Sequence, residues 1–152
     1  MADLLVRLYD LPTLERKLPA GVIVRRALPP ERETILEWIS ARFSRHWRSE
    51  AAVGLSQQPP TLLIAVRNQQ ILGFACYDGT AKGFFGPTGV DEAERGQGLG
   101  EALLMATLHA MSGAGYAYAI IGDPGPVSFY TSRLDALEIP KSKPGFYAGL
   151  LP

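Results

Sequence analysis

The sequence is poor in the residues that disulfides and metal sites need. Its 152 residues include one cysteine, Cys76, and only two histidines. A single cysteine cannot form an intramolecular disulfide, and no cluster of cysteines has the spacing of a zinc site. Cys76 alternates with apolar residues in LGFACYD, a pattern typical of a thiol in the core and not of an acyl-carrying nucleophile. We therefore predict no metal site and no covalent acyl-cysteine.

Net charge and long apolar runs are absent as well. Fifteen lysines and arginines balance fifteen aspartates and glutamates, so the formal net charge is zero. No overall positive field exists to hold a nucleic acid or an acidic membrane surface. No stretch approaches the roughly 18 apolar residues of a membrane span, and the first residues carry scattered charges. We expect one soluble, cytoplasmic domain over residues 1–152 that binds neither nucleic acid nor membrane.

The apolar pattern predicts an α+β (mixed α/β) fold. Apolar residues at helical spacing predict helices at 31–45, 98–112 and 126–133. Apolar or alternating runs predict strands at 22–28, 61–66, 71–78, 82–90, 116–121, 136–139 and 146–151. This order implies a central mixed, twisted sheet of about six to seven strands with helices on both faces. Residues 1–20 form an N-terminal extension that can add an edge strand, and an exposed edge there or at 146–151 predicts a homodimer.

Three glycines stand at alternate positions in RGQGLG, residues 95–100, immediately before a predicted helix. A helix N-terminus exposes unpaired N–H groups, and glycine lets an anion approach them without meeting a Cβ. The alternative is a flexible turn. A dinucleotide fingerprint fails because Glu101 stands where its third glycine belongs, and a P-loop fails because no Gly-Lys-Ser/Thr follows. The segment is typical of a phosphate-binding loop of another kind.

The preceding run, FFGPTGV, is an unusual strand. Pro87 cannot donate to a strand ladder, and Gly86 and Gly89 lie on either side of it. These residues indicate a bulge, or a strand that has parted from its neighbour; a tight turn between two short strands is the alternative. A parted strand would offer free backbone groups to an amide-bearing tether beside the phosphate loop.

Together these stretches resemble the central signature of the GNAT superfamily, the acyl-coenzyme A-dependent N-acetyltransferases. GVDEAERGQGLGEALL, residues 89–104, is similar to the family's hydrophobic-Val-x-x-x-x-Arg-Gly-x-Gly-x-Gly pattern, and SFYTS is similar to its Phe-Tyr helix. The resemblance runs from about Val22 to the end. It implies a GNAT fold and direct transfer of an acetyl group from acetyl-CoA to a primary amine on a small molecule or peptide. Two alternatives stay open, a non-catalytic acyl-CoA sensor of the same fold and an unrelated nucleotide-binding domain.

The resemblance also implies which residues bind and react. Val90 and its strand neighbours would pair with the pantetheine arm, and the loop amides would hold the pyrophosphate. The implied cofactor-binding residues are Val90, Arg95, Gly96, Gln97, Gly98, Leu99, Gly100 and Glu101. Tyr130 would protonate the departing thiolate, since a phenol with a pKa near 10 can protonate a thiolate whose acid has a pKa of about 8.5; a packing tyrosine is the alternative. The family's usual glycine after this tyrosine is replaced by Leu134 and Asp135, although Asp135 can adopt a left-handed conformation.

A general base is harder to assign. An amine must lose a proton before it attacks a thioester, so a carboxylate, a histidine or water must receive it. Asp78, at the end of its strand, is the first candidate, with a solvated turn aspartate as the alternative. Asp91 and Glu101 are further candidate carboxylates. The alternative for Asp91 is an acidic residue in the loop before the helix, and the alternative for Glu101 is a first-turn charge that complements the helix dipole. His46 and Trp47 follow the first predicted helix, where this superfamily commonly forms an acceptor wall; a solvated helix end explains them as well.

Overall fold

The computed structural model describes residues 1–13 and 16–152, and over these residues the chain forms seven strands and four α-helices. The strands are β1 (Leu4–Arg7), β2 (Ile23–Arg26), β3 (Leu62–Arg67), β4 (Gln70–Tyr77), β5 (Phe85–Val90), β6 (Tyr118–Ile121) and β7 (Leu137–Glu138). The helices are α1 (Arg32–Arg42), α2 (Arg45–Leu55), α3 (Leu99–Gly113) and α4 (Val127–Leu134). The predicted α+β class is confirmed.

The strands form two sheets that touch at one point. One has the order β2-β3-β4-β5 and the other β6-β1-β7, with antiparallel pairing throughout. A single parallel bridge between Phe84 and Ile120 joins them, and the Ile120 N–H donates to the Gly83 carbonyl at 2.9 Å. Beyond this bridge, β5 has no strand on that edge within the described residues. The strand parting predicted from FFGPTGV is confirmed.

The pairing of β4 with β5 is irregular where Pro87 lies. Ala75 pairs with Thr88 and Tyr77 pairs with Phe85, so the register shifts between the two pairs. Residues Gly86 and Pro87 therefore face a single residue of β4, which is the geometry of a bulge. The bulge lies just after Phe84, whose bridge to Ile120 is the last pairing between the two sheets.

Helices cover both faces of the larger sheet. Helices α1 and α2 pack on one face, where the buried side chains include Ile35, Ile39, Leu62, Ile64 and Phe74. Helix α3 packs on the other, where they include Leu99, Leu103, Leu104, Leu108 and Met111. Cys76 is fully buried, and burial raises the pKa of its thiol, so the predicted core thiol is confirmed. None of the helices in the described part of the chain is long and apolar enough to cross a membrane.

The N-terminal segment is not an edge strand. Strand β1 lies between β6 and β7, and Leu4 is paired with Ile121 on one side and Glu138 on the other. Residues 146–151 form no strand, since 146–149 are in turns, and the strand predicted at 136–139 shortens to β7. The two exposed edges from which the homodimer was predicted are thus absent from the described residues, and the homodimer stays a prediction without that premise.

The helix predicted at 31–45 ends at Arg42, and a second helix that was not predicted begins at Arg45. The chain leaves α1 at Phe43, whose φ of −126° and ψ of −102° are not helical. Ser44 then caps α2, because its side chain accepts a hydrogen bond from the Trp47 N–H at 3.1 Å. Helix α2 was missed, and it brings His46, Trp47 and Glu50 to the space between the sheets.

Candidate active site

A cleft of about 860 Å³ opens where β5 and β6 part. Its walls come from β5, the loop before α3, the first turns of α2 and α3, and α4. It brings together most of the predicted site. The predicted residues that line it are Val90, Arg95, Gly96, Gly98, Leu99, Gly100, Glu101 and Tyr130. Gln97 and Asp78 do not line it.

The glycine-rich loop has the backbone that an anion site needs. Gly98 caps α3 in the left-handed conformation, with φ at 83° and ψ at 11°. The N–H groups of the first turn, from Leu99 onward, have no partner inside the helix. The positive φ at Gly98 favours glycine, and a Cβ there would also lie 2.8 Å from Cδ of Arg16, so that this flexible side chain would have to move. The residues present therefore fit a phosphate group.

Two arginines add positive charge to this loop. Nη2 of Arg16 donates to the Gly96 carbonyl at 3.0 Å, and Nε of Arg95 donates to the Val90 carbonyl at 3.3 Å. Neither guanidinium is paired with a carboxylate of the described residues. Arg16 was not predicted, since it lies far from the loop in sequence. Both arginines suit a polyanion at this end of the cleft.

Gln97 has a structural role through its side chain. Its Nε2 donates to Oε2 of Glu94 at 2.9 Å and to the Glu94 carbonyl at 3.2 Å. Glu94 is held in turn by Nη2 of Arg67 at 2.7 Å. The side chain of Gln97 therefore fixes the loop, and only its backbone amide remains for a ligand.

Tyr130 is buried in the cleft wall. It is 7% exposed and makes edge-to-face contacts with Phe129 and Phe85, with ring centroids at 5.1 and 6.3 Å. Burial raises the pKa of Tyr130 to about 12. Its hydroxyl makes no hydrogen bond to any residue that the structure describes. Tyr130 is thus a neutral phenol whose proton no described protein group engages.

The end of α4 explains how Tyr130 is held without the usual glycine. Asp135 takes the left-handed position after α4, with φ at 54° and ψ at 38°, as the sequence suggested it could. Leu134 is buried in the core. Nε of Arg133 lies 3.3 Å from Oε1 of Glu101, and its guanidinium lies 4.3 Å from the centre of the Phe129 ring. Glu101 therefore ties the start of α3 to the helix that carries Tyr130.

Asp78 lies outside the cleft, and its carboxylate is already engaged. Oη of Tyr116 donates to Oδ2 at 2.7 Å, and the Gly83 N–H donates to Oδ1 at 2.8 Å. Burial, and then the hydrogen bond to Asp78, raise the pKa of Tyr116 to about 12. Asp78 thus stabilises the turn before β5. This geometry disfavours the prediction that Asp78 receives the proton of an amine.

Asp91 is a poor base for a different reason. Nε of Arg42 donates to its Oδ2 at 2.8 Å, and the Ala93 N–H donates to Oδ1 at 3.1 Å. The hydrogen bond from Arg42, followed by that from Ala93, lowers the pKa of Asp91. A carboxylate with a lowered pKa binds a proton more weakly than an unpaired one. Asp91 also lies outside the cleft lining.

The far end of the cleft is formed by α2 and the C-terminal segment. His46 and Trp47 line it, in agreement with an acceptor wall, and Trp47 stacks on Phe43 at 5.0 Å. Nε2 of His46 lies 2.8 Å from the Leu151 carbonyl, and because a carbonyl only accepts, this nitrogen carries a proton. Glu50 lines the same end and was missed. Its position four residues after His46 would have revealed it had α2 been predicted.

The chain is similar to known acetyltransferases. The model of the "Acetyltransferase (GNAT) family" matches residues 24–132. A GCN5-related N-acetyltransferase of Sphaerobacter thermophilus superposes with a TM-score of 0.68 at 18% identity, covering 91% of this chain and 48% of that one. A GNAT family acetyltransferase of Brucella melitensis, solved with acetyl-CoA, gives 0.53 at 24% identity, covering 72% and 80%. The GNAT protein YhbS of Escherichia coli, solved with CoA, gives 0.57 at 22% identity, covering 78% and 71%.

The likeness to these solved structures, at identities below 25%, shows the GNAT fold. The chain spans about half the length of the Sphaerobacter protein. No curated protein matches the sequence. Over the described residues, no group of three or more His, Cys, Asp or Glu side chains is placed to hold a metal ion.

Proposed function

Because the chain belongs to the GNAT family of acetyltransferases, we propose that it transfers the acetyl group of acetyl-CoA directly to a primary amine. One observation carries this proposal. The free edge of β5, the glycine-rich start of α3 and the buried hydroxyl of Tyr130 meet in a single cleft. Each feature has another explanation when taken alone, but a thioester donor needs all three.

Acetyl-CoA is the cosubstrate of this family, and it supplies a thioester whose carbonyl carbon an amine can attack. The free edge of β5, ending at Val90, would pair with the amides of the pantetheine arm. The N–H groups of Leu99, Gly100 and Glu101 would hold the pyrophosphate, with Arg16 and Arg95 beside it. The bulge at Gly86 and Pro87 lies on this edge, where Pro87 has no N–H to donate to a further strand.

Tyr130 would give its proton to the sulfur as the carbon–sulfur bond breaks. A pKa of about 12 keeps the phenol protonated at neutral pH. In water, a thiolate whose acid has a pKa of about 8.5 would take this proton only uphill. The same burial that raises the pKa of the phenol also raises that of a thiol, because a low dielectric disfavours both anions. The apolar wall of Phe85 and Phe129 therefore supports the transfer from the sulfur's side.

The experiment is a measurement of thiol release from acetyl-CoA with a panel of amines: a polyamine, an amino sugar, an amino acid and a peptide N-terminus. We expect release that depends on one class of amine, and micromolar binding of CoA by calorimetry. Binding of CoA without turnover of any amine would favour a sensor domain. Failure to bind CoA, with a thermal shift by NAD or ATP, would favour an unrelated nucleotide-binding domain.

A further inference from the structure

The acceptor end of the cleft carries an inference that rests on the proposed function and extends it. We propose that Glu50 binds the ammonium group of the acceptor and receives its proton, and that the acceptor is an amine without a carboxylate near its nitrogen. Glu50 lines the same cleft as Tyr130 but lies on α2, whereas the phosphate loop leads into α3.

The hydrogen bonds of Glu50 leave half of its carboxylate available. Oε2 accepts from the hydroxyls of Thr80 and Tyr147, the latter at 3.0 Å. The Thr80 and Tyr147 hydroxyls also lie 2.8 Å from each other, but each has a single proton, so the two protons serve at most two of the three contacts at a time. Oε1 has no hydrogen-bond partner among residues 1–13 and 16–152. Two neutral donors thus fix one oxygen and leave the other to a ligand.

The carboxylates that line the cleft fall into two pairs. Glu94 and Glu101 lie by the phosphate loop, and each is paired with an arginine. Glu50 and Asp123 have no cationic partner within the described part of the chain. Burial, and then the charges of Glu50 and Asp123, raise the pKa of Tyr147, which places both carboxylates near this phenol. The cleft is therefore positive at the loop and negative at the acceptor end.

The walls of the acceptor end also suit a cation. Phe43, Trp47 and Tyr147 line it, and aromatic faces attract an ammonium group that has left water. An acceptor that carried its own carboxylate beside the nitrogen would meet Glu50 and Asp123 with the same sign of charge. The site therefore favours a plain or polycationic amine over an α-amino acid.

The other candidate bases are engaged or displaced. Asp78 and Asp91 accept hydrogen bonds elsewhere and do not line the cleft. His46 lines it, and because its Nε2 proton is held by the Leu151 carbonyl, only its Nδ1 could accept a proton. Glu50 and Asp123 are the carboxylates that remain in the cleft without a cation, and Glu50 is the one that neighbouring hydroxyl groups hold in place.

Glu50 and Tyr130 each handle one proton of the proposed transfer. The ammonium group gives one proton to Glu50, and the nitrogen lone pair bonds to the carbonyl carbon of the thioester. The carbon–sulfur bond breaks, and its electron pair takes a proton from Tyr130. The nitrogen loses a second proton to solvent, and solvent reprotonates Tyr130. When Glu50 releases its proton after the reaction, the net products are an amide, a thiol and one free proton.

A binding experiment tests this inference without turnover. The probes are n-butylamine and norvaline, which is the same amine with a carboxylate on the carbon that bears the nitrogen. Their affinities are measured by NMR titration on the full chain saturated with CoA. We expect butylamine to bind at least tenfold more tightly than norvaline, and Glu50→Gln to weaken butylamine by at least tenfold while CoA affinity is unchanged. Glutamine keeps the acceptor oxygen that Thr80 and Tyr147 need, so the variant should fold.

Two further variants complete the test. Glu37→Gln removes an exposed carboxylate of α1 that lies outside the cleft, and we expect no change in binding. Glu50→Asp keeps the charge, and we expect it to bind butylamine more tightly than Glu50→Gln. If Glu50→Gln binds butylamine as the wild type does, or if norvaline binds more tightly than butylamine, the inference is overturned.

Turnover separates this inference from the proposed function. We expect Glu50→Gln to lower kcat for an alkylamine about a hundredfold or more. The decrease in kcat should be much smaller with methoxyamine, which is neutral at the assay pH and needs no base to deprotonate it before it attacks the thioester. Amine turnover that is unaffected by Glu50→Gln would overturn the inference and leave the function standing. Glu50-dependent binding of butylamine without any thiol release would do the reverse.

Discussion

Replacing Tyr130 by phenylalanine tests the proton donor most directly. The change removes one oxygen and keeps the ring, with its contacts to Phe129 and Phe85. If the hydroxyl protonates the leaving thiolate, turnover should fall by roughly 10² to 10⁴. CoA affinity should barely change, since no binding group is lost. Steady-state thiol release and calorimetry on one preparation measure both.

The structure also fixes the expected effect on stability. The Tyr130 hydroxyl is hydrogen-bonded to none of the described residues, so its removal leaves no orphaned donor or acceptor behind. The buried oxygen carries a desolvation cost that the variant avoids, and the packing of the ring is retained. The free energy of unfolding should therefore change by no more than about 0.5 kcal/mol.

Tyr116→Phe is the matched control because the Tyr116 hydroxyl, unlike that of Tyr130, makes a hydrogen bond and lies outside the cleft. That hydroxyl donates to the Asp78 carboxylate at 2.7 Å, outside the cleft. A hydrogen bond to a charged group contributes about 1.5 kcal/mol at the low end of its range, which suits this partly exposed pair. A loss of that size lowers the melting temperature of a chain this long by roughly 3 to 6 °C. Turnover should remain at the wild-type level.

The two variants together would refute the reasoning if they behaved alike. Turnover of Tyr130→Phe within about threefold of wild type would rule out an essential acid. A parallel loss of CoA affinity would show that the ring matters and the proton does not. A melting temperature for Tyr130→Phe that falls as far as that of Tyr116→Phe would show that the Tyr130 hydroxyl is bonded in solution.

Three further predictions concern the glycine-rich loop before α3, with the arginines beside it, and the tyrosines. Arg16→Ala should weaken CoA binding about tenfold, with a larger effect at low salt than at high salt, whereas Lys17→Ala should leave CoA binding unchanged. Equal CoA affinities of the two variants would show that Arg16 is not part of the site. Gly98 is a poor probe because its φ is positive, whereas a Cβ at Gly100 would lie 3.8 Å from its nearest neighbours. Gly100→Val should therefore fold and weaken CoA binding, while Gly113→Val, at the other end of α3, should leave CoA binding intact. Unchanged CoA affinity in both variants would contradict the phosphate site. Absorbance titration should show a group of phenols in the native protein that ionise above the usual pKa of 10. These are Tyr116, Tyr130 and Tyr147. Because their folded pKa values are raised, the stability they contribute is complete below pH 10 and is lost as pH rises towards 12; titration of every tyrosine near pH 10 would be the contrary result.

The sequence predicted those parts of the site that depend on local chemistry. Glycines before a helix and a proline inside a strand have the same consequence in almost any fold. RGQGLG therefore predicted a glycine-rich helix start and Pro87 a parted strand, and the structure contains both. Tyr130 was implied by the family resemblance instead, and it lines the cleft. The choice of Asp78 failed to anticipate Tyr116, which lies far along the chain and engages its carboxylate.

Other features depend on contacts that no short stretch encodes. The pairing of Leu4 with Ile121 joins opposite ends of the chain, so nothing near Leu4 distinguishes an edge strand from a central one. The apolar residues of FYAGLL favour a strand, but Gly145 and Gly149 adopt φ values of 108° and 81°, which turn the chain. The role of Glu50 needed both α2 and the distant Tyr147, and neither was available from periodicity alone.

The place of β1 has a consequence for the order in which the cleft can form. The sheet of β2 to β5 closes through neighbours in sequence, mostly by antiparallel pairing of consecutive strands. The other sheet requires residues 4–7 to wait for residues 118–138, and loop closure over such a separation is slow. The edge of β5 should therefore be ready before the wall that carries Tyr130, and pulsed hydrogen exchange should find amides of β3 and β4 protected ahead of those of β1. A ribosome-bound chain that ends before residue 118 would contain β5 and the glycine-rich loop but would lack β6 and α4, which form the other wall of the cleft.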